Sequence, residues 1–166
     1  GGGSALDLGK AAAILSTNTG KVREYIGGES KLVQNSLPFI AVPTTSGSSS
    51  EVTSGSTLWD MTNKSSTGLN SPLMFPTAAI VDAELTMSMN QNLAAVTGMD
   101  AFTSAFESYW STESGAISDA LALNVIRLFN ENLVASCVDG DMESRSSCAL
   151  AATMSGIGYS NSPPNV

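Results

Sequence analysis

The strongest constraint on how this chain folds is a change of texture at Asp82-Ala83. Before that point, short apolar runs are broken by glycines and prolines. After it, apolar residues recur every three or four positions through three long stretches. Short runs bounded by turn residues suit buried strands of an α/β layer, whereas a three-to-four period suits helices burying one face. No flexible linker separates the two halves. The expectation is an α/β part over residues 1–82 and an all-helical part over 83–166.

In the first half, Ser4-Ala5-Leu6-Asp7-Leu8-Gly9-Lys10 and the alanines after it predict a helix over 5–16, with Ser4 as N-cap and Asp7 as the capping-box acid. Residues 17–37, with Gly20, Gly27 and Gly28, read as a long loop with one helical turn. Pro38-Phe39-Ile40-Ala41-Val42-Pro43 predicts a buried parallel strand, with further strands at 57–60 and 78–82 and a hairpin-like excursion between those two. In the second half a helix over 93–110 should bury Val96, Met99, Ala101, Phe102, Phe106 and Tyr109. Ser118 should cap a second helix that Asp139-Gly140 stops, and a third helix over 141–159 should end at Pro163-Pro164.

Charge and composition exclude several functions. The net charge is −8 and the 7 basic residues are scattered, so nucleic acid and anionic membranes are poor partners. Histidine is absent. That removes Ser-His-Asp triads, Cys-His pairs and most catalytic zinc sites. Cys137 and Cys148 form no CxxC pair, which fits free thiols in a reducing compartment such as the cytoplasm. No stretch is long and uniformly apolar enough to read as a membrane span. Only 13% of residues are charged; about 25% is usual for a self-contained domain, so part of this surface is expected to face another segment of a longer protein.

Three segments could carry chemistry. Gly1-Gly2-Gly3-Ser4 leads straight into a helix, where backbone N–H groups and the helix N-terminus can meet a phosphate; a linker remnant would look the same. Thr44, Thr45, Ser46, Ser48, Ser49 and Ser50 follow the apolar strand, at the end where α/β sheets bind ligands; an ordinary polar loop shares that composition. Asp100, Ser104 and Glu107 fall on one helix face, either flanking a site or simply solvated.

Taken in order, GGGSALDLGKAAA, PFIAVPTTSGSSSEVT, AAIVDAELT, VTGMDAFTSAFESYW and SDALALNVIRL resemble the iron-type (group III) alcohol dehydrogenases, over nearly the whole chain. The resemblance implies an incomplete dinucleotide-binding domain that takes NAD or NADP, then a helical domain that holds a divalent metal, Fe or Zn. The architecture is shared with the dehydroquinate synthases and is truncated here at both ends. By the family pattern, Gly1, Gly2, Gly3 and Ser4 grip the cofactor pyrophosphate. Thr44, Thr45, Ser50 and Thr53 add cofactor contacts, and Asp100 is the first metal ligand. No catalytic side chain is assigned. The implied activity is interconversion of an alcohol and an aldehyde or ketone by hydride transfer, with a homo-oligomer as the assembly it allows.

The departures from the pattern matter as much. The family's glycine is Ser49 here. A cofactor-contacting lysine falls near Ser66, with Lys64 two positions before it. The second metal ligand, a histidine four residues after the aspartate, is Ser104. The remaining histidine ligands would fall after Val166. Ser104 favours a rival reading, a catalytically inactive relative acting as a binding or oligomerisation module. A related NAD-binding lyase is a further rival, although VTGMDAFTSAFESYW speaks against it.

Overall fold

The computed structural model describes residues 1–26, 30–61 and 63–162. Its first part holds helices α1 (Gly3–Leu15) and α2 (Val22–Ile26) and strands β1 (Ile40–Ala41), β2 (Gly55–Asp60), β3 (Ser65–Asn70) and β4 (Ala78–Ala79). Its second part holds helices α3 (Gln91–Trp110), α4 (Ala116–Val138) and α5 (Met142–Asn161). Short 3-10 turns occupy Ser50–Val52, Pro72–Met74 and Ala83–Thr86.

The expected parallel pairing forms, but briefly. β1 lies beside β4 with Ile40 opposite Ala78 and Ala41 opposite Ala79. Pro38 and Pro43 bracket β1 and have no amide proton to give, so regular pairing stays short. Successive residues of β1 point to opposite edges. The Phe39 and Ala41 carbonyls accept from Thr77 and Ile80 on the β4 side. The Gly1 nitrogen donates to the Val42 carbonyl at 2.9 Å, and the Thr44 amide donates to the Gly1 carbonyl at 3.0 Å. Gly1 thus runs along the other edge of β1, at the end where the hydroxyl-rich loop begins.

The hairpin differs from expectation. Residues 57–60 are not a strand of the parallel layer but part of β2, which pairs antiparallel with β3 from Gly55–Asn70 to Asp60–Ser65. The turn explains this: Lys64 adopts φ 50°, and the Asn63 amide and side chain both donate to the Asp60 carboxylate. The two arms therefore pair with each other. The 17–37 segment holds one helical turn, α2, as expected; Gly27 and Gly28 lie outside the described residues. Buried Asn18 fastens the rest of this segment to α1. Its amide donates to the Ile14 and Gln34 carbonyls, and its oxygen accepts from the Val33 and Gln34 amides.

The helical part is a bundle of three. Its core joins Ala101 and Ala105 of α3, Ala122, Val125 and Phe129 of α4, and Cys148, Ala151 and Ala152 of α5. Small residues let the helices approach closely: a Cβ on Gly98 would sit 2.4 Å from Leu133 Cδ1. This corrects the expected face of α3. Val96, Met99 and Tyr109 are exposed, at 61%, 46% and 43%, because alanine and glycine positions occupy the seam. Phe102 does pack against the core, edge-on to Phe129. A second core, around Ala11, Ile14, Leu69 and Met74, belongs to the first part. α4 has the length and composition of a membrane-crossing helix. Yet Arg127 and Glu131 pair at 2.7 Å on its outer side while Val125 and Phe129 are buried, the pattern of an amphipathic bundle helix.

Caps moved by a few residues from the sequence expectation. Gly2, not Ser4, is the N-cap of α1, and no side chain caps it. α4 starts from Gly115, with the Ser118 hydroxyl reaching back one turn to accept the Gly115 amide at 2.9 Å. Gly140, at φ 65°, ends α4 as expected. Pro163-Pro164 lie outside the described residues. Asp141 caps α5 by accepting the Ser144 amide at 2.9 Å and its hydroxyl at 2.8 Å, and these bonds hold its carboxyl below the usual carboxylate range. A depressed folded-state pKa means the cap stabilises at neutral pH and is lost as pH falls through that lowered value. Asp141→Ala should lower the melting temperature at pH 7 and make little difference at pH 2, as followed by thermal melts at both pH values.

Candidate functional site

Two loops and three helices converge on the site. α1 begins directly at the glycine turn with no side-chain cap and no acidic residue in its first turn, so no side chain offsets the positive potential of its N-terminus. The threonine pair lies against this turn: a Cβ on Gly2 would sit 3.2 Å from Thr45 Cγ2. Gly3 approaches the next residues of the same loop, where a Cβ would meet Ser48 at 2.6 Å. The structure therefore brings Gly1–Ser4 together with Thr44 and Thr45. An uncapped helix N-terminus flanked by hydroxyls suits a phosphate group.

Beyond Ser48 the loop enters a cleft of about 690 Å³ between the two parts. Ser50, Thr53 and Asp100 all line it, together with Asp7, Ser104 and Glu107. The shared face expected for Asp100, Ser104 and Glu107 is thus one wall of this cleft. Lys64 and Ser66 do not line it; Lys64 sits in the turn of the β2–β3 hairpin, and only the far end of β3 reaches the cleft.

Sequence reasoning missed Lys10. Its side chain is buried, and its ammonium donates to the Ser50 carbonyl at 3.0 Å, the Thr53 carbonyl at 3.1 Å, the Thr53 hydroxyl at 3.4 Å and the Gly55 carbonyl. Burial pushes its pKa down, against the opposing pull of Asp7 and Glu51. Asp7 was also misassigned. It is no capping acid but accepts the Ser50 hydroxyl at 2.6 Å and the Thr57 amide at 2.8 Å. A signal for Lys10 was present in the sequence: it stands four residues after Leu6 and four before Ile14, on the helix face those residues bury.

Ser49 stands in the left-handed region at φ 54°, which accounts for a glycine in the resembling pattern. Here the hydroxyl donates to the Ala152 carbonyl at 2.6 Å and the Gly47 carbonyl at 3.1 Å. Those bonds offset a backbone cost of about 1–2 kcal/mol. Nearby, the Thr153 hydroxyl donates to buried Glu51 at 2.8 Å. The loop is thereby fastened to α5.

The residues present do not make a metal site on their own. Among the described residues, no group of three or more His, Cys, Asp or Glu comes together. The Ser104 hydroxyl donates to the Asp100 backbone carbonyl at 2.9 Å, and the Asp100 carboxyl is held above its usual range by desolvation. One carboxylate and a neutral hydroxyl are a weak donor set for Fe²⁺ or Zn²⁺.

An α/β part and a helical bundle meet at a hydroxyl-rich cleft, the two-part arrangement to which the sequence motifs pointed. Comparison with known proteins agrees. The model of the iron-containing alcohol dehydrogenases matches residues 1–83, and that of the Fe-containing alcohol dehydrogenase family's C-terminal region matches 94–163. The chain belongs to the iron-containing alcohol dehydrogenase family. It is 40% identical over 163 residues to a sulfoacetaldehyde reductase of Bilophila wadsworthia, covering 97% of this chain and 42% of that protein. It is 39% identical over 164 residues to long-chain-alcohol dehydrogenase 1 of Geobacillus thermodenitrificans, covering 97% and 41%. Among solved structures it matches sulfoacetaldehyde reductase from Bifidobacterium kashiwanohense in complex with NAD+, with a TM-score of 0.92, 34% identity and coverage of 99% and 44%. The chain thus spans about two fifths of the length of the relatives it matches.

The contact of α5 with the loop yields a test. Alanine in place of glycine normally stabilises a helix interior by about 1 kcal/mol. At Gly156 a Cβ would lie 2.3 Å from Ser49 Cβ and 2.8 Å from Val52 Cγ2. Gly156→Ala should instead destabilise by about 1–3 kcal/mol, and Ser49→Gly in the same chain should recover much of that loss. Urea denaturation of the two single variants and the double variant checks this; additive effects would contradict it.

Proposed function

We propose that this chain supplies the cofactor cleft of an NAD(P)-dependent alcohol dehydrogenase that interconverts an alcohol and an aldehyde or ketone. The observation that carries the reading is the juxtaposition of the Gly1–Ser4 turn at the α1 N-terminus with Thr44 and Thr45, beside a cleft lined by Ser48, Ser50, Thr53 and Asp100, which Gly3 adjoins at Ser48. The Gly1, Gly2, Gly3 and Ser4 backbone would hold a pyrophosphate, with the α1 N-terminus supplying positive potential. Thr44 and Thr45 would donate hydroxyls beside it, and Ser50 and Thr53 would shape the cleft further in. When bound, a nicotinamide cofactor supplies the hydride acceptor or donor.

The domain division belongs to the same reading: residues 1–82 bind the dinucleotide, and 83–166 form part of the helical domain. Its partners would be a small alcohol or aldehyde and a second copy of the chain in a homo-oligomer, with no nucleic acid and no membrane. The free thiols of Cys137 and Cys148 support a cytoplasmic location.

The test is saturation-transfer NMR of the chain with NAD+ and NADP+. Binding of at least one is expected, and Gly3→Val, which drives a branched side chain into Ser48, should weaken it about tenfold or more. Absence of binding to either dinucleotide would overturn the reading. A companion titration addresses Asp100. Zn²⁺ and Fe²⁺ should bind no tighter than micromolar, and Ser104→His should improve this only modestly. Sub-micromolar, stoichiometric uptake by the unmodified chain that disappears in Asp100→Ala would contradict that expectation.

A further inference from the structure

We infer that Lys10 and Asp7 are positioning residues that fix, from α1, the loop that carries Ser50 and Thr53; the inference rests on the cofactor reading above. The geometry is one-sided and specific. Both residues project from α1, the helix whose N-terminus forms the glycine turn. The Lys10 ammonium gathers three carbonyls of one short segment, those of Ser50, Thr53 and Gly55, plus the Thr53 hydroxyl. Asp7 takes the Ser50 hydroxyl and the Thr57 amide, its backbone carbonyl accepts the Ser56 hydroxyl at 2.9 Å, and its carboxylate lies 3.6 Å from the ammonium. Every residue from Ser50 to Thr57 is thus within one or two positions of a bond to α1.

Carbonyls that converge on a buried ammonium cannot also turn into the cleft. Their direction fixes which way the Ser50 and Thr53 side chains face. The loop's other attachments, Ser49 to Ala152, Glu51 to Thr153 and the Ser160 hydroxyl to the Val52 carbonyl, tie it to α5. Those bonds lie in the Ser49–Val52 stretch, and pairing with β3 holds the chain from Gly55 onward on its other edge, so Thr53 and the α1-facing edge of Gly55–Thr57 depend on Lys10 and Asp7. A ligand seated on the glycine turn and on this loop would meet two surfaces of one rigid element, and little ordering would be left for binding to supply.

Lys10→Met keeps the length of the buried stem and removes the donors. Asp7→Asn keeps an acceptor for Ser50 and loses the one for the Thr57 amide. Amide hydrogen exchange reads the loop, and NMR titration with NAD+ reads the consequence. In Lys10→Met, exchange over residues 50–57 should rise about tenfold or more while α3–α5 stay protected, and NAD+ should bind about tenfold more weakly. Asp7→Asn should loosen chiefly the Ser56–Thr57 end. Unchanged protection of the loop in both variants overturns the inference. So does loosening that spreads evenly through α3–α5, which would mark a general loss of stability, and so does a loosened loop with unaltered NAD+ affinity. If the unmodified chain binds neither dinucleotide, the cofactor reading fails by itself. The loop's exchange pattern then still decides whether Lys10 and Asp7 position it.

Discussion

An ammonium group taken out of water costs several kcal/mol unless its protons find acceptors. Lys10 meets that condition by drawing four oxygens of one loop around itself, with a carboxylate close by. Much of the α/β part follows from this. The loop cannot swing away from α1 without stranding a charge. α1 in turn is seated by Ile14 and Ala11 in the core of the first part and by Asn18, which binds the long segment behind it. The same helix presents its uncapped N-terminus to the threonine pair. A single element therefore sets the glycine turn, the hydroxyl loop and the first arm of the hairpin, and no broad sheet is needed to do so.

Elements with a long period were legible in the sequence. α1, α3, α4 and α5 run close to their expected limits because helical periodicity and stop residues such as Gly140 repeat the same message over many residues. The strands were less legible. β1 and β4 are too short to show an alternation, and the polar Ser65–Asn70 run gave no apolar cue that it would pair with Gly55–Asp60. Burial misled where size stood in for position. Val96 and Met99 looked like core and are exposed, because the seam of the bundle goes to Gly98, Ala101 and Ala105. At the site, three of the residues that the resemblance singled out, Ser50, Thr53 and Asp100, line one cleft, and the others, Gly1–Ser4 with Thr44 and Thr45, meet beside it. The residues that fix the loop, Lys10 and Asp7, were hidden because a charge on an alanine-rich helix reads as solvated unless its place on the buried face is followed.

Ser49 and Ser104 mark where this chain departs from the pattern it resembles, and they do so in opposite ways. Ser49 keeps the left-handed backbone that glycine would accept freely, and its hydroxyl becomes a bond between the two parts. The geometry survives the change. Ser104 keeps the position but not the chemistry: its hydroxyl turns onto the carbonyl of Asp100 within the same helix. A backbone constraint can be met by another residue with a compensating bond, whereas a missing imidazole nitrogen has no substitute in a neutral hydroxyl.

The distribution of charge around the cleft gives the site a direction. Asp7, Asp100 and Glu107 line it, and no lysine or arginine is among its lining residues. Lys10, close by on α1, is turned into the loop's carbonyls. A doubly negative pyrophosphate is therefore disfavoured within the cleft and favoured at its rim, where the α1 N-terminus has no acidic residue in its first turn. On the proposed reading, the phosphates of a dinucleotide stay at the glycine turn, and one nucleoside end passes Ser50 and Thr53 toward the wall formed by Asp100, Ser104 and Glu107. That wall belongs to α3, so the end of the dinucleotide that enters the cleft would face the helical part.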